Sequence, residues 1–338
     1  MAIQTAMLEF PTTVLLDTTN LCNARCPFCP LFVGNHQVDR TVRPATVMDQ
    51  ALYERILTEL AGWNREVVIV SSSNGEILQD PKFIERMAAV HRIGIGRFIH
   101  LLTNGQFLNA DASAAILDAG VARIILGFDG ASKEVYEAHR VRCDYERVLT
   151  NIRGFVEMRR GHKAKTSIEI KFVRTTRNEH EVAQAYKMFA EIMDAELDQF
   201  HDCLAHDWSD GDMASTGLYY LDKYPKGARL KTCWYFDTGL QIQPDGKIGA
   251  CCWDYNLTIS GGDLGDVKDG VLAAWRSTQH AEFARKLENP ATTPPKCETC
   301  IIIHKMPVLD TSWDRIDAKT LVYRGPNSLL YRFPTPAA

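Results

Sequence analysis

Short apolar, β-branched runs alternate with amphipathic segments from residue 13 to about residue 200. The runs predict strands over Thr13–Leu16, Val67–Ser71, Arg97–Leu102, Val121–Phe128, Ser167–Val173 and Glu196–Phe200. Between them, apolar residues at helical spacing predict helices over Asp49–Trp63, Pro81–Ile93, Asp111–Ala119, Ser132–His139, Asp144–Arg160 and Asn178–Met193. In the last, Val182, Tyr186, Phe189 and Met193 form one stripe. Six βα units in a row imply a parallel sheet covered by helices. Periodicity leaves open whether that sheet is flat or curled.

From about residue 201 to 230 the alternation is expected to stop. His201, Asp202, Cys203, His206 and Asp207 crowd this stretch, which runs to Trp208, with titratable groups, and long irregular segments tend to be functional or mobile. The His/Cys/His set matches no strong zinc signature, so lining a substrate cavity is favoured, with a solvated linker as the plain alternative. Farther on, Gln241–Gln243 and Lys247–Ala250 flank the turn Pro244-Asp245-Gly246, which predicts a hairpin. Leu272 to Leu287 reads as one helix carrying Trp275, Phe283 and Arg285, and prolines 290 to 295 end it.

A chain of 338 residues has room for one large α/β domain and a smaller one. The net charge is −4 and Lys and Arg are scattered, so no nucleic-acid groove is expected. The first ten residues lack a basic region followed by a long apolar one, and no stretch approaches the roughly 18 apolar residues of a membrane span. A cytoplasmic protein with no membrane partner is expected. Ten cysteines without a secretory signal read as metal ligands more readily than as disulfides.

Three of them, Cys22, Cys26 and Cys29, fall within eight residues directly after the first predicted strand. Structural zinc asks for four ligands, whereas three thiols suit an iron-sulfur cluster with one open iron. This C-x3-C-x2-C spacing, with Phe28 before the third Cys, resembles the radical S-adenosylmethionine (radical SAM) superfamily. The resemblance implies a SAM-binding 4Fe-4S cluster, reductive cleavage of SAM to a 5′-deoxyadenosyl radical, and an external reductant such as flavodoxin or ferredoxin. It also implies a partial (β/α)6 barrel with its active site at the C-terminal ends of the strands.

Later strand ends carry matching segments. Ser73-Asn74-Gly75-Glu76 resembles the family's Gly-Gly-Glu segment, in which Gly75 and Glu76 would hold the SAM ammonium, with Asn74 departing from the first Gly. Leu102-Thr103-Asn104-Gly105 is similar to the family's TNG, so Asn104 would reach the ribose; a tight turn is the other reading, and both can hold. Leu126-Gly127-Phe128-Asp129-Gly130, followed by Tyr136 and Arg140, resembles SLDG…Y…R with Gly127 replacing Ser. Asp129 belongs to this SAM-binding segment, and Arg140 would pair with the SAM carboxylate through its planar fork. Glu169 and Lys171 alternate with Ile168, Ile170 and Phe172, so Lys171 is a weaker SAM or substrate candidate.

Cys233, Cys251, Cys252, Cys297 and Cys300 form a second group. With the PDG turn, Gly262-Asp263-Leu264-Gly265, the Trp275/Arg285 helix and the closing C-x2-C, this half resembles the SPASM/twitch extension of radical SAM enzymes. No Cys follows Cys300, so the shorter twitch form with one auxiliary 4Fe-4S cluster is expected, held by Cys233, Cys251, Cys297 and Cys300. Family spacing from Gly246 selects Cys251 over Cys252. Cys252, with Asp254 nearby, stands where sulfatase maturases have a catalytic Asp, which counts against that activity. A zinc ribbon is the alternative for this half alone. Cys143 reads as a small buried hydrophobe.

The expected architecture is α/β: an N-terminal extension (1–12), a partial (β/α)6 radical SAM barrel (13–205), a linker and small α+β SPASM/twitch-like cluster domain (206–304), and a tail (305–338) that caps the cavity or packs on the barrel. The resemblance is to twitch dehydrogenases of natural-product biosynthesis acting on aminocyclitols. It implies an oxidoreductase for a small sugar-, aminocyclitol- or nucleoside-like molecule, with the auxiliary cluster as electron acceptor. Alternatives are an epimerase with Cys252 or Cys203 as hydrogen donor, an enzyme that modifies or crosslinks a peptide or nucleoside, and a non-catalytic metal scaffold or electron carrier. With no separate peptide-recognition domain before residue 13, ribosomal-peptide work is disfavoured.

Overall fold

The computed structural model describes residues 8–29, 44–71, 73–205, 217–219, 227–304, 320–324 and 328–334. In chain order it contains β1 (Thr13–Leu16), α1 (Gln50–Gly62), β2 (Val68–Ser71), α2 (Phe83–Ile93), β3 (Ile99–Thr103), α3 (Ala110–Asp118), β4 (Arg123–Gly127), α4 (Lys133–His139), α5 (Tyr145–His162), β5 (Ser167–Arg174), α6 (Val182–Ala190) and β6 (Gln199–Leu204). There follow α7 (Trp234–Thr238), β7 (Gly239–Ile242), β8 (Ile248–Gly249), α8 (Val271–Trp275), α9 (Thr278–Glu288), α10 (Pro295–Thr299), β9 (Leu321–Arg324) and β10 (Ser328–Arg332). The six expected strands and six expected helices all form; β1 to β5 are each followed by a helix, β4 by two. Four of these helices start where a side chain satisfies free N–H groups of the first turn: Asp49, Asn109, Ser132 and Asp144 cap α1, α3, α4 and α5. Each such cap is worth about 1 kcal/mol.

The chain divides into two compact units. The first comprises Met1–Leu21, Asp39–His100 and Lys226–Lys305. Its strands run in the order β8-β7-β1-β2. β1 lies parallel to both β2 and β7, while β7 and β8 form the antiparallel hairpin expected at Pro244-Asp245-Gly246. Val14, Leu16, Ile69, Leu240 and Ile242 are fully buried in this sheet.

The single helix expected from Leu272 to Leu287 is broken into α8 and α9. Ser277 sits at the break in extended backbone and its hydroxyl accepts from His280 N, capping α9, so the local capping bond wins over a continuous stripe.

The second unit comprises Cys22–Val38, Leu101–Pro225 and Met306–Ala338. Its strand order is β3-β4-β5-β6-β10-β9. β4, β5 and β6 are parallel, and β10 closes on β6 antiparallel. One face is apolar: Ile124, Leu126, Ile168, Ile170, Phe172 and Phe200 are buried, and Tyr186 of α6 packs edge-on against Phe200. The tail thus supplies an edge of this unit, with Phe333 stacked on Tyr186 at 5.5 Å and Tyr331 also against it. Tyr323 lies on β9.

β6 also corrects the expected irregular stretch. It runs through His201, Asp202 and Cys203 to Leu204, because Asp202, buried on the apolar side, is neutralised by an ion pair with Arg174 of β5. A buried charge at an apolar strand position hides the period of two. His206, Asp207 and Trp208 lie outside the described residues, as does Trp313 of the tail.

Candidate active site and cluster sites

In the second unit, the loop carrying Cys22, Cys26 and Cys29 is tied down by its own backbone and by two asparagines. Cys29 N donates to Cys26 O at 3.0 Å, and Arg25 N donates to Val141 O at 2.9 Å just past α4. Asn104 Nδ2 donates to Asn23 Oδ1 at 2.9 Å, while Asn104 Oδ1 accepts from Gln106 N at 3.0 Å. The Asn104 side chain therefore both shapes its own turn, where Gly105 takes φ +76°, and steadies the cysteine loop. Cys143 is buried, as expected, and accepts from Asn23 Nδ2 at 3.6 Å.

Arg140 reaches this loop. Its Nε donates to Asp129 Oδ2 in an ion pair, and its Nη1 lies 3.9 Å from Cys26 Sγ. The guanidinium also stands 5.4 Å above the ring of Phe28, which is itself buried. Burial pushes the Cys26 thiol up and the Arg140 charge opposes it. Asp129, fully buried, accepts from Val173 N at 2.7 Å through its other oxygen.

A further layer holds this pair. Glu181 accepts from Ala131 N, Ser132 N and Ser132 Oγ at the start of α4. Asn178 Nδ2 donates to Asp129 O and Val173 O. His139 has Nδ1 2.8 Å from Val135 O and Nε2 2.9 Å from Thr175 Oγ1, which assigns the proton to Nδ1.

Opposite the apolar face of this unit, alternate residues of β4, β5 and β6 build a polar surface. Glu169 Oε2 pairs with Arg123 Nη1 at 3.1 Å and Oε1 with His201 Nδ1 at 2.7 Å. Burial works against the Glu169 charge, but His201 and Arg123 outweigh it and hold the carboxyl below its ordinary range. Half-buried Lys171 pairs in register with His201, and half-buried Cys203 is close enough to feel the Lys171 charge, although burial pushes its thiol up.

In the first unit, the 73–76 segment is held against the end of β1. Gly75 is obligatory by space, since a Cβ there would lie 2.4 Å from Thr19 O. Glu76 N donates to Leu21 O at 2.7 Å, and Glu76 Oε1 accepts from Leu78 N at 3.1 Å.

The second cysteine group also lies in this unit. Cys233 precedes α7, Cys251 follows the β7–β8 hairpin, and Cys297 and Cys300 bracket the end of α10 with Cys300 N donating to Cys297 O at 3.1 Å. Arg229 pins this corner through Glu298 at 2.8 Å, Leu287 O and Thr293. Burial raises all four thiols, and negative charge on Cys233 adds to the rise at Cys251, Cys297 and Cys300; the last two are pushed up to about 12. Cys252 is hydrogen-bonded to Tyr235 instead. Asp254, fully buried, accepts from Ala250 N, Ile259 N, Ser260 N and Ser260 Oγ, and so folds the loop behind the hairpin.

Among the described residues no three His, Cys, Asp or Glu side chains converge on a single-ion position. Donor chemistry therefore provides the test of fit. Three thiols beside a fixed guanidinium suit a cluster with one iron left open, and four half-buried thiols, three of them within the field of Cys233, suit a cluster whose irons make thiolates favourable. All ten cysteines are free of disulfides. Both sets fit iron-sulfur clusters.

The comparisons agree. Residues 16–184 match the family model of the radical SAM superfamily, and residues 233–301 match that of SPASM, an iron-sulfur cluster-binding domain. The chain is 25% identical over 320 residues to a PqqA peptide cyclase of Rhodopseudomonas palustris, covering 86% of this chain and 79% of that one. The crystal structure of Streptococcus suis SuiB bound to S-adenosylmethionine is similar in fold, with a TM-score of 0.62 and 13% identity over 87% of this chain and 73% of that one. BtrN in complex with AdoMet and 2-DOIA is similar with a TM-score of 0.53 and 16% identity, covering 86% and 93%. No helix among the described residues is long and apolar enough to cross a membrane. The chain belongs to the radical SAM superfamily: it is a SAM-dependent 4Fe-4S enzyme whose partial barrel is followed by a SPASM auxiliary-cluster domain.

Proposed function

We propose that this chain is a radical SAM oxidoreductase acting on a peptide. The observation that carries the oxidative reading is the four-thiol set, in which Cys233 shares a field with Cys251, Cys297 and Cys300. Four protein ligands leave no iron open for substrate, which suits an electron acceptor. When bound, SAM and the two clusters supply hydrogen-atom abstraction and a one-electron acceptor. Cys22, Cys26 and Cys29 hold the first cluster in this reading, and Glu76 and Arg140 take the SAM ammonium and carboxylate. Cys252, turned to Tyr235, is not a ligand. Asp254 holds its loop, and Asn104 steadies the cysteine loop. Lys171 and the Glu169–His201 pair orient the substrate.

The substrate class rests on the relative that matches over most of both chains, a peptide cyclase. Where the chain begins says nothing against that reading. The likeness to BtrN, at 16% identity, bears on fold alone; the small sugar- or aminocyclitol-like substrate expected from the sequence takes second place.

Anaerobic reconstitution is expected to give about eight irons per chain and reductant-dependent 5′-deoxyadenosine. Replacing Cys22, Cys26 and Cys29 by Ala should abolish SAM cleavage, whereas replacing Cys297 and Cys300 should spare it but stop the loss of two hydrogens from a peptide substrate. Zinc in place of iron would refute the enzyme reading. The half-buried Cys203 thiol on the polar strand surface favours one competitor, epimerisation, in which solvent deuterium would appear at one substrate carbon and no hydrogen would be lost.

A further inference from the structure

Asp17 follows β1 directly and is 1% exposed, yet among the described residues no oppositely charged side chain pairs with it. Every hydrogen-bond donor to its carboxylate among them is neutral. Oδ1 accepts from Ser73 N at 2.6 Å, Ser73 Oγ at 3.0 Å and Asn74 N at 3.2 Å. Oδ2 accepts from Gln241 Nε2 at 2.7 Å and Asn74 Nδ2 at 2.9 Å. An acceptor-only carboxylate is the side chain that can satisfy so many converging donors.

These donors are not scattered. Two are successive backbone amides of the 73–76 segment, whose far end is held by Glu76 N donating to Leu21 O, with Gly75 pressed on Thr19 O between them. Gln241 sits on β7, paired with Leu15 of β1, eight residues after Cys233 of the second cysteine group. One carboxylate thus sets the conformation of the turn that presents Glu76 and hydrogen-bonds a strand of the SPASM region. Oriented backbone amides on a buried acceptor are costly to rearrange, because each donor left behind would be unsatisfied.

We propose that Asp17 is a positioning residue for SAM binding: it fixes the 73–76 turn so that Glu76 meets the SAM ammonium. This rests on the assignment of Glu76 given above. Asp17 does not touch SAM in this scheme; it acts through the turn. An Asn at 17 keeps one oxygen for the two backbone amides, and the side-chain amides of Asn74 and Gln241 can flip to meet its NH2 group. An Ala keeps neither oxygen.

The test uses reconstituted full-length protein and measures SAM dissociation by equilibrium dialysis, with iron content measured alongside. Asp17→Ala is expected to weaken SAM binding about 10- to 100-fold with iron retained, the loss that goes with a shift of about 1 Å in a binding group. Asp17→Asn should recover to within about threefold of the wild type, as geometry rather than bulk folding demands. An Asp17→Ala protein that binds SAM normally overturns the proposal, as does an Asp17→Asn protein as weak as the Ala variant. If Asp17→Ala does not fold, Asn74→Ala carries the test: weaker SAM binding supports the role and unchanged binding overturns it. Glu76→Gln separates the two ideas. Normal SAM binding by that variant sinks the Glu76 assignment, whereas weak binding there with normal binding by Asp17→Ala sinks only the positioning role.

Discussion

Substituting Gly127 by Ser, the residue of the SLDG segment that this stretch resembles, is expected to damage this protein rather than repair it. A Cβ at 127 would lie 2.1 Å from Arg140 Nη2, 2.7 Å from Cζ and 2.9 Å from Nη1. β4 cannot retreat, since it is held in register along β5 up to Gly127 opposite Lys171. The guanidinium must therefore leave. That strands Asp129, which is 0% exposed, with the Val173 N–H, and leaving a buried carboxylate without its cation costs about 3–5 kcal/mol. It also removes a positive charge 3.9 Å from Cys26 Sγ. At an effective dielectric of about 20 a unit charge at that distance is worth about 4 kcal/mol, so the first cluster's midpoint potential should fall, by at most about 170 mV. The assays are thermal melting and a potentiometric titration of Gly127→Ser, Gly127→Ala, Arg140→Ala and the Gly127→Ala/Arg140→Ala double variant. With Arg140 gone a Cβ at 127 has room, so the double variant should melt with Arg140→Ala, a coupling of about 3 kcal/mol. Additive losses, or a Gly127→Ser protein that melts as the wild type does, would refute the reasoning.

Two other substitutions test separate parts of the molecule. Gly75→Ala drives a Cβ to 2.4 Å from Thr19 O and 3.1 Å from Leu21 O, both backbone atoms that cannot swing aside. Its kcat/KM for SAM should fall about 100-fold, and a fall of less than about threefold would show that the turn tolerates displacement. His280 is 1% exposed, stacked on Phe236 at 4.3 Å, with Nδ1 lacking a hydrogen-bond partner among the described residues; burial lowers its pKa from 6.5 to about 4. A base whose folded pKa is depressed stabilises least in acid: its contribution is intact above 6.5 and drains away as pH falls toward 4. The loss by about pH 5 is about 2 kcal/mol, and denaturant unfolding should show His280→Phe spared it; an equal acid loss in both proteins would refute the assignment.

What the sequence made legible follows the range of the interactions involved. The strands and their order of appearance rest on runs of four to eight residues, and the helix starts rest on caps such as Asp49 and Ser132 that act within three residues. Cys22, Cys26 and Cys29 are legible for the same reason: one loop carries them. The features that escaped are those whose partners are remote. Asp17 looks like the polar end of an apolar strand, and nothing local marks it, because its donors lie 56, 57 and 224 residues away. β10 is five residues long and finds its partner on β6, so its signal lay in the fit of Tyr331 and Phe333 against Tyr186, not in periodicity.

Gly127 shows the opposite case, a local departure whose cause is distant. Read along the chain it weakens the likeness to SLDG, but the guanidinium of Arg140, thirteen residues on, occupies the space a Ser side chain would need. Cys251 and Cys252 make the same point at the shortest range. Adjacent residues of equal chemistry cannot be ranked by composition, and family spacing alone chose the first. Their surroundings differ: Cys251 feels the charge of Cys233 as well as that of its neighbour, whereas Cys252 is hydrogen-bonded to the Tyr235 hydroxyl, two residues beyond Cys233. The different surroundings of two neighbouring thiols thus come from one short helix, α7, which begins directly after Cys233 and carries Tyr235.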